Sequence, residues 1–478
     1  MTDAQAWRDC LLEALPVDVS VHHALEDWRD LYVPPAHVRA LRLDASLVVG
    51  DRGVGKSCWA HALTTPQGQA ILAQALPEMK QVTVHLGFSA TQAIEDYPTP
   101  EVIGPLLKQG HTPYDLWRAV VLRWADRMGG GKLPRARWEN TLAWMRDNPE
   151  GVAHAMAAAV RHLASEKTRG LIVFDALDRA SADWQTMDAL VQGLLRTVLW
   201  VRSFPGLHAK VFLRPDQAER TVGNFPDASK LMATRADLVW SRHDLHGLLW
   251  HHLVNAPGDA GKRARALVKT TVGSAVPKGP DAYRLPEAAR LDTREQRALF
   301  DALAGPWMGR DQRRGIPYVW SVGHLADGKG RTSPRSFLAA IRQAAEDSKD
   351  RYPDHALALH YESIKRGIRK ASGIRVAEIA EDYPWVRFYC RPLAGLTVPC
   401  APDVVLSRWQ ERFPNGPAGE PDEGRLPPPH ADEGWEGLRE DLVHLGIFQE
   451  RRDGRLDMPD LYRVGFGLGR RGGVKPIE

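Results

Sequence analysis

The sequence predicts an α/β fold built on a parallel sheet, and three observations predict it. Short apolar or β-branched runs at Leu47–Val49, Gln81–Leu86, Gly170–Phe174 and Lys210–Leu213 alternate with helical patterns. That is the order of parallel strands joined by crossover helices. The glycine-rich stretch Gly50-Asp51-Arg52-Gly53-Val54-Gly55-Lys56-Ser57 lies between the first run and a helical pattern over Ser57–Leu63. The third run ends in a carboxylate, Asp175.

Each segment has its own pattern. Residues 1–44 read as a helical lead-in, with an apolar stripe through Trp7, Leu11, Leu12 and Leu15 that ends in the extended Tyr32-Val33-Pro34-Pro35. The sheet-bearing core is expected over 45–255. Within it, 88–168 is too long for one crossover helix and carries Trp117, Trp124, Trp138 and Trp144, which marks a helical insertion. Residues 256–370 read as a helical lid, interrupted by a Gly/Pro/Lys-rich stretch at 271–286, and 371–413 as a helical connector. Six Pro and four Gly in the 21 residues 414–434 predict a linker. The last segment, 435–478, holds a helix through Leu438, Leu442 and Leu445, a charged turn at 451–455 and a basic tail. Helix, turn and β-wing give a winged-helix-like outline.

Composition bounds the function without naming it. A chain of 478 residues has room for about two to four domains. With 44% apolar and 26% charged residues the composition is that of an ordinary globular protein. No apolar run reaches membrane-spanning length, and the first residues lack the pattern of a secretory signal, so a cytoplasmic location and no membrane are expected. The four cysteines form no CxxC pair, which argues against a disulfide framework or a zinc ribbon. The formal charge of +4 is too small to make the whole chain a nucleic-acid binder. Locally the balance differs: 309–335 carries six basic and two acidic residues, and 451–478 seven and four.

The stretch Gly50–Ser57 matches G-x-x-x-x-G-K-[ST] at every fixed position. Its glycines let backbone N–H groups curl around a phosphate, and the helix start adds partial positive charge. The expected nucleotide site is Gly50, Asp51, Arg52, Gly53, Val54, Gly55, Lys56, Ser57 and Cys58. Lys56 is expected to reach the β- and γ-phosphates, and Ser57 to ligate Mg²⁺. Asp175, at the end of its apolar strand, is the expected second holder of Mg²⁺. The fold class is therefore a P-loop NTPase sheet with helices on both faces, plus the helical lid and the winged-helix-like domain, and the expected ligands are ATP or ADP with Mg²⁺.

Three other charged residues are candidates for catalysis. The residue after Asp175 is Ala176, where many hydrolytic members of this class carry a water-polarising Glu. Asp178 either takes over as base or pairs with Arg179 as a structural cap. Arg214 ends the strand Lys210–Leu213 at the edge that faces ligand in parallel sheets; it is a phosphate sensor or the partner of Asp216. Arg335 follows Ser333-Pro334 at a helix start, where a cation opposes the helix dipole; it is a lid arginine touching the γ-phosphate or a plain surface residue. His243, His246, His251 and His252 share a helix without the carboxylate or thiol partners of a metal set, and are read as a structural face. The tryptophans are read as packing residues.

These elements together resemble a family. Gly50–Ser57, Asp175-Ala176-Leu177-Asp178-Arg179, Leu213-Arg214-Pro215-Asp216 and the stretch Lys230…Leu238-Val239-Trp240-Ser241 are similar to bacterial P-loop ATPases of the KAP and STAND groups, within the AAA+/ASCE division. The KAP pattern D-D-L-D-R is met except at Ala176, a departure that bears on hydrolysis and not on nucleotide binding. Ser333-Pro334-Arg335 resembles the lid arginine element of that division, and the tail its winged-helix domains. The resemblance implies a slowly hydrolysing ATPase switch that forms homo-oligomers and controls assembly with partner proteins, an effector encoded nearby among them, in anti-phage defence. The alternatives are a DNA-binding loader or transposition-type regulator, acting on duplex DNA through its wing, and a scaffold that holds nucleotide with little turnover.

Overall fold

The computed structural model describes residues 3–17, 28–131, 133–181, 183–222, 225, 227–279, 282–417, 427–471 and 474–476. The chain divides into two compact units. One runs from Pro35 to Leu238; the other gathers residues 3–17, 28–34 and those from Val239 onward. The first unit thus ends short of the 255 expected for the core.

The first unit is organised by a five-stranded parallel sheet. Its strands are β1 (Leu47–Val49), β2 (Val82–Phe88), β3 (Arg169–Phe174), β4 (Leu207–Leu213) and β5 (Arg235–Asp237), in the spatial order β2-β3-β4-β1-β5. Leu47, Val48 and Val49 are fully buried, as are Leu171 to Phe174 and Val211 and Leu213. Strands covered on both faces read as near-continuous apolar runs, which is why these three could be read directly, although β4 also carries His208 and Lys210. Strand β4 lies between β1 and β3, with Val49 opposite Leu213 and Phe174 opposite Val211. The residues that follow β1, β4 and β3 therefore leave the sheet at one edge.

The insertion is helical, with helices Pro100–Lys108, Pro113–Gly129, Trp138–Asp147 and Pro149–Ser165. Trp117, Trp124 and Trp138 are core residues, and Trp144 packs half-buried against them. Trp117 donates to the Leu190 carbonyl at 2.8 Å, Trp138 donates to that of Ile94 at 3.0 Å, and the Arg123 guanidinium sits 3.6 Å over the Trp138 ring. Lys210, fully buried on β4, donates to the carbonyls of Ala40, Arg42 and Ala45 at 2.7, 2.9 and 2.5 Å. It clasps the segment that leads into β1 and so fixes where the glycine loop begins.

The second unit is mainly helical. Arg8, buried on the helix Asp3–Ala14, donates to the carbonyls of Pro353, His355, Leu357 and Ala358 and ties that loop to the N-terminal helix. The four histidines sit on the helix Arg242–Asn255, capped by Ser241 with Asp244 in a reciprocal box. His246 stacks on Tyr318 at 4.0 Å between centroids, and its Nε2 meets the Tyr318 carbonyl at 2.9 Å. Among the described residues no cluster of metal-ligating side chains occurs.

Burial pushes His246 down to about 3 and His251 to about 4. Both rings are neutral in the fold, whereas the unfolded chain charges them near pH 6.5. Between those values the unfolded state binds more protons, so stability is complete above about pH 6.5 and falls as pH drops. Each ring contributes about 1.4 kcal/mol per pH unit in that window. Urea unfolding between pH 7 and 4.5 is expected to show a steep acid loss that His246→Gln makes shallower; an unchanged slope in that variant contradicts this assignment.

The C-terminal segment forms a small module that begins well before residue 435. Helices Pro402–Arg412 and Gly434–His444 are followed by a two-stranded antiparallel ribbon, β6 (Gln449–Glu450) and β7 (Leu456–Asp457). Cys400 bonds to Leu456 in both directions at 3.0 and 2.9 Å, adding a third extended segment. Trp409 stacks on Trp435 at 5.6 Å and donates to the Tyr389 carbonyl at 2.8 Å. The two sides of the Pro/Gly stretch are thus one packed body. Of the stretch expected to be a linker, residues 418–426 lie outside the described residues. Among the described residues no helix is long and apolar enough to cross a membrane.

Candidate functional site

The loop after β1 takes the conformation its glycines allow. Gly53 and Gly55 have φ of 80° and 102°, the left-handed region that side chains other than glycine rarely adopt. A Cβ on Gly50 would lie 2.7 Å from Val54 Cγ2 and 3.1 Å from Leu238 Cβ, so this position has no room for one. The helix Lys56–Thr64 starts directly at Gly55. Its first N–H groups are left for a ligand, the general condition for anion binding at a helix start. The Lys56 ammonium donates back to the Gly50 and Asp51 carbonyls at 2.7 and 2.9 Å.

Asp175 follows β3 and is buried, at 4% exposure. Its N–H donates to the Phe88 carbonyl at 3.0 Å, which fixes the strand end. Burial pushes its carboxyl up, opposed by a hydrogen bond from the Ser57 hydroxyl and by the Lys56 charge. Burial likewise pushes the Lys56 ammonium down, with Asp175 opposing and Arg214 adding to the shift. The loop lysine, the hydroxyl after it and the strand-end carboxylate are therefore one electrostatic unit. Hydroxyl and carboxylate are hard oxygen donors of the kind Mg²⁺ takes, and that ion commonly uses only one or two protein ligands beside phosphate oxygens. The donor set fits the metal.

Arg214 follows β4, between the two. Its guanidinium lies 4.0 Å from Asp178 and 3.4 Å from Asp216. Asp216 also pairs with Arg220 at 2.9 Å, and Arg220 with Asp188 at 2.8 Å. Both readings of Arg214 are therefore compatible: Asp216 holds it from behind while it faces Asp178. Sequence reasoning missed the Arg220–Asp188 pair, which buttresses Asp216. The i, i+4 spacing of Asp216 and Arg220 was its only visible signal. Asp178 pairs with Arg214 and, among the described residues, forms no ion pair with Arg179. Ala176, between the two carboxylates, has φ 53° and ψ 37°. A side chain in this left-handed conformation costs about 1–2 kcal/mol, and it turns the chain sharply so that Asp178 comes back toward Arg214.

Arg335 belongs to the second unit. Ser333 caps the helix Pro334–Arg351 through the Ser336 N–H at 3.1 Å, with Pro334 in the first turn. Arg335 itself is 15% exposed and pairs with Glu378 at 2.5 Å. It is therefore no plain surface arginine. Cys58 has its thiol pushed up to about 12 by burial, so it contributes no thiolate there.

Four arginines of the basic tail are paired with its aspartates. Arg451 pairs with Asp457 at 2.6 Å, Arg455 with Asp453 at 2.6 Å, Arg463 with Asp460 at 2.7 Å, and Arg470 with both Asp457 and Asp460. The outward positions of the helix Gly434–His444 include Glu436 and Glu440, both exposed. Arg451 and Arg455 of the turn are thus paired, whereas Arg452 between them is exposed and forms no ion pair among the described residues.

No protein-family model matches this chain, and no curated protein matches it. Two solved structures are similar over most of their length. One is the Aeropyrum pernix ORC2 protein in ADPNP–ADP complexes, 12% identical, covering 91% of this chain and 94% of that one with a TM-score of 0.31. The other is the Aeropyrum pernix ORC1 protein in complex with DNA, 14% identical, covering 91% and 92% with a TM-score of 0.33. At TM-scores this low, the functional reading stands on the residues of the chain itself.

Proposed function

We propose that this protein is an ATP-binding switch that hydrolyses its nucleotide slowly and controls assembly with partner proteins. The observation that carries it is the meeting, at one edge of the sheet, of the Gly50–Ser57 loop, Asp175 and Arg214. The N–H groups at the start of the helix Lys56–Thr64 and the Lys56 ammonium would hold the phosphates, with Lys56 leaving the Gly50 and Asp51 carbonyls to do so. Ser57 and Asp175 would hold Mg²⁺, which when bound neutralises phosphate charge in the transition state. Arg214, steadied by Asp216, would sense the terminal phosphate.

The slow turnover rests on Ala176, which supplies no base. Asp178 stands nearest to that role, at 4.0 Å from Arg214 and open to solvent. Asp178→Ala is expected to lower phosphate release on the order of 100-fold while ATP binding is retained. Unchanged turnover would show that Asp178 only positions Arg214. The placement in anti-phage defence and the homo-oligomer rest on the motif resemblance alone. Sizing the protein with ATP and with ADP, and identifying the product of the neighbouring gene, test those two points. Duplex recognition through the wing is disfavoured by the pairing of Arg451 and Arg455.

A further inference from the structure

The C-terminal module carries a second basic surface, one with no acidic partners among the described residues. An open cavity of about 620 Å³ is lined by Arg387, Phe388, Arg391, Arg412 and Phe413, among others, and among the described residues no acidic one lines it. Arg387 and Arg391 are one helical turn apart at the end of the helix Pro384–Cys390 and just after it; Arg412 ends the helix Pro402–Arg412. All three are exposed. Among the described residues none of them forms an ion pair, in contrast to Arg451 and Arg455 of the wing. Phe388 is 40% exposed and lies 4.7 Å from Phe413, whose ring is also faced by Arg412 at 5.5 Å.

Three converging guanidiniums without carboxylates favour a polyanion, because each offers a planar fork matched to phosphate oxygens. An exposed aromatic ring inside the same cavity offers a stacking face. Charge that tracks a backbone, combined with aromatic platforms, is the general chemistry of single-strand binding. A duplex keeps its bases stacked and leaves the ring unused, and an acidic peptide supplies carboxylates without a flat base. We propose that this pocket binds single-stranded nucleic acid, seating phosphodiesters on Arg387, Arg391 and Arg412 and an unstacked base on Phe388. The site is separate from the residues around Asp175 and does not depend on whether ATP is hydrolysed.

The test is fluorescence anisotropy of a labelled oligothymidylate with the full chain, against a duplex of equal length and a polyglutamate peptide. The single strand is expected to bind more tightly than either. Phe388→Ala is expected to weaken it about 10-fold. Joint replacement of Arg387, Arg391 and Arg412 by Ala is expected to reduce the slope of log affinity against log salt by about 2, at about 0.7 per phosphate contact. Because all three arginines are exposed, the thermal unfolding midpoint of that variant should match the parent, and Lys56→Ala should bind the single strand normally. Absence of oligothymidylate binding would overturn the proposal. So would equal binding of duplex with no effect of Phe388→Ala, or preferential binding of polyglutamate.

Discussion

Lys56→Ala is expected to abolish the stabilisation of this protein by ATP. In the structure the ammonium is held by two carbonyls of its own loop, with Asp175, Asp178 and Asp51 favouring its charge and burial opposing it. A charged donor so placed can exchange carbonyl acceptors for phosphate oxygens at little cost, since the loop that carries it is already curled by Gly53 and Gly55. Hydrogen bonds to charged groups contribute about 1.5–3 kcal/mol each. Losing them is expected to weaken ATP by roughly 100-fold, or about 2.7 kcal/mol. For a unit of this size, ATP at about 100 times its dissociation constant raises the unfolding midpoint by about 5–10 °C in the parent. Differential scanning fluorimetry should show that shift in the parent and none in Lys56→Ala. An undiminished shift in the variant would remove the loop from the nucleotide site.

Asp175→Asn is expected to separate binding from turnover. The carboxylate is buried beside Ser57 and Lys56, so the amide fills the same space but brings no negative charge to the metal. Nucleotide is then expected to bind with an affinity nearly independent of Mg²⁺, because one of two protein oxygens for the ion is lost as an anion. Phosphate release should fall on the order of 100-fold, the general cost of removing one group that stabilises developing charge. A malachite-green assay with and without Mg²⁺ measures both effects. A variant that turns over at the parental rate would show that Asp175 is a structural strand end.

How far the sequence foretold this site depends on burial and on range. Strands β1, β3 and β4 were visible because a parallel strand covered on both faces is a near-continuous apolar run. Strand β5 was not: Arg235-Ala236-Asp237 buries only Ala236, and an edge strand of three residues leaves no pattern. Gly50–Ser57 was legible because its chemistry is local, with glycines, lysine and hydroxyl contiguous. Asp178 facing Arg214 was not legible, since the contact crosses from β3 to β4. The same limit applies at the C-terminus. Pro and Gly at 414–434 implied a linker, yet Trp409 and Trp435 stack across that interval. The tail's net charge implied a basic surface, but Asp457 and Asp460 between them hold Arg451, Arg463 and Arg470. Arg387, Arg391 and Arg412 stood out in no charge run, and the fold brings them together.

Mg²⁺-dependent nucleotide binding at the edge of the sheet is the centre of this account, and calorimetric titration of ATP into the parent protein tests it most directly. The expected result is a single site per chain that tightens when Mg²⁺ is present, loses that tightening in Asp175→Asn and disappears in Lys56→Ala. Absence of any heat of ATP binding to the parent, or binding that both variants leave unchanged, would contradict it.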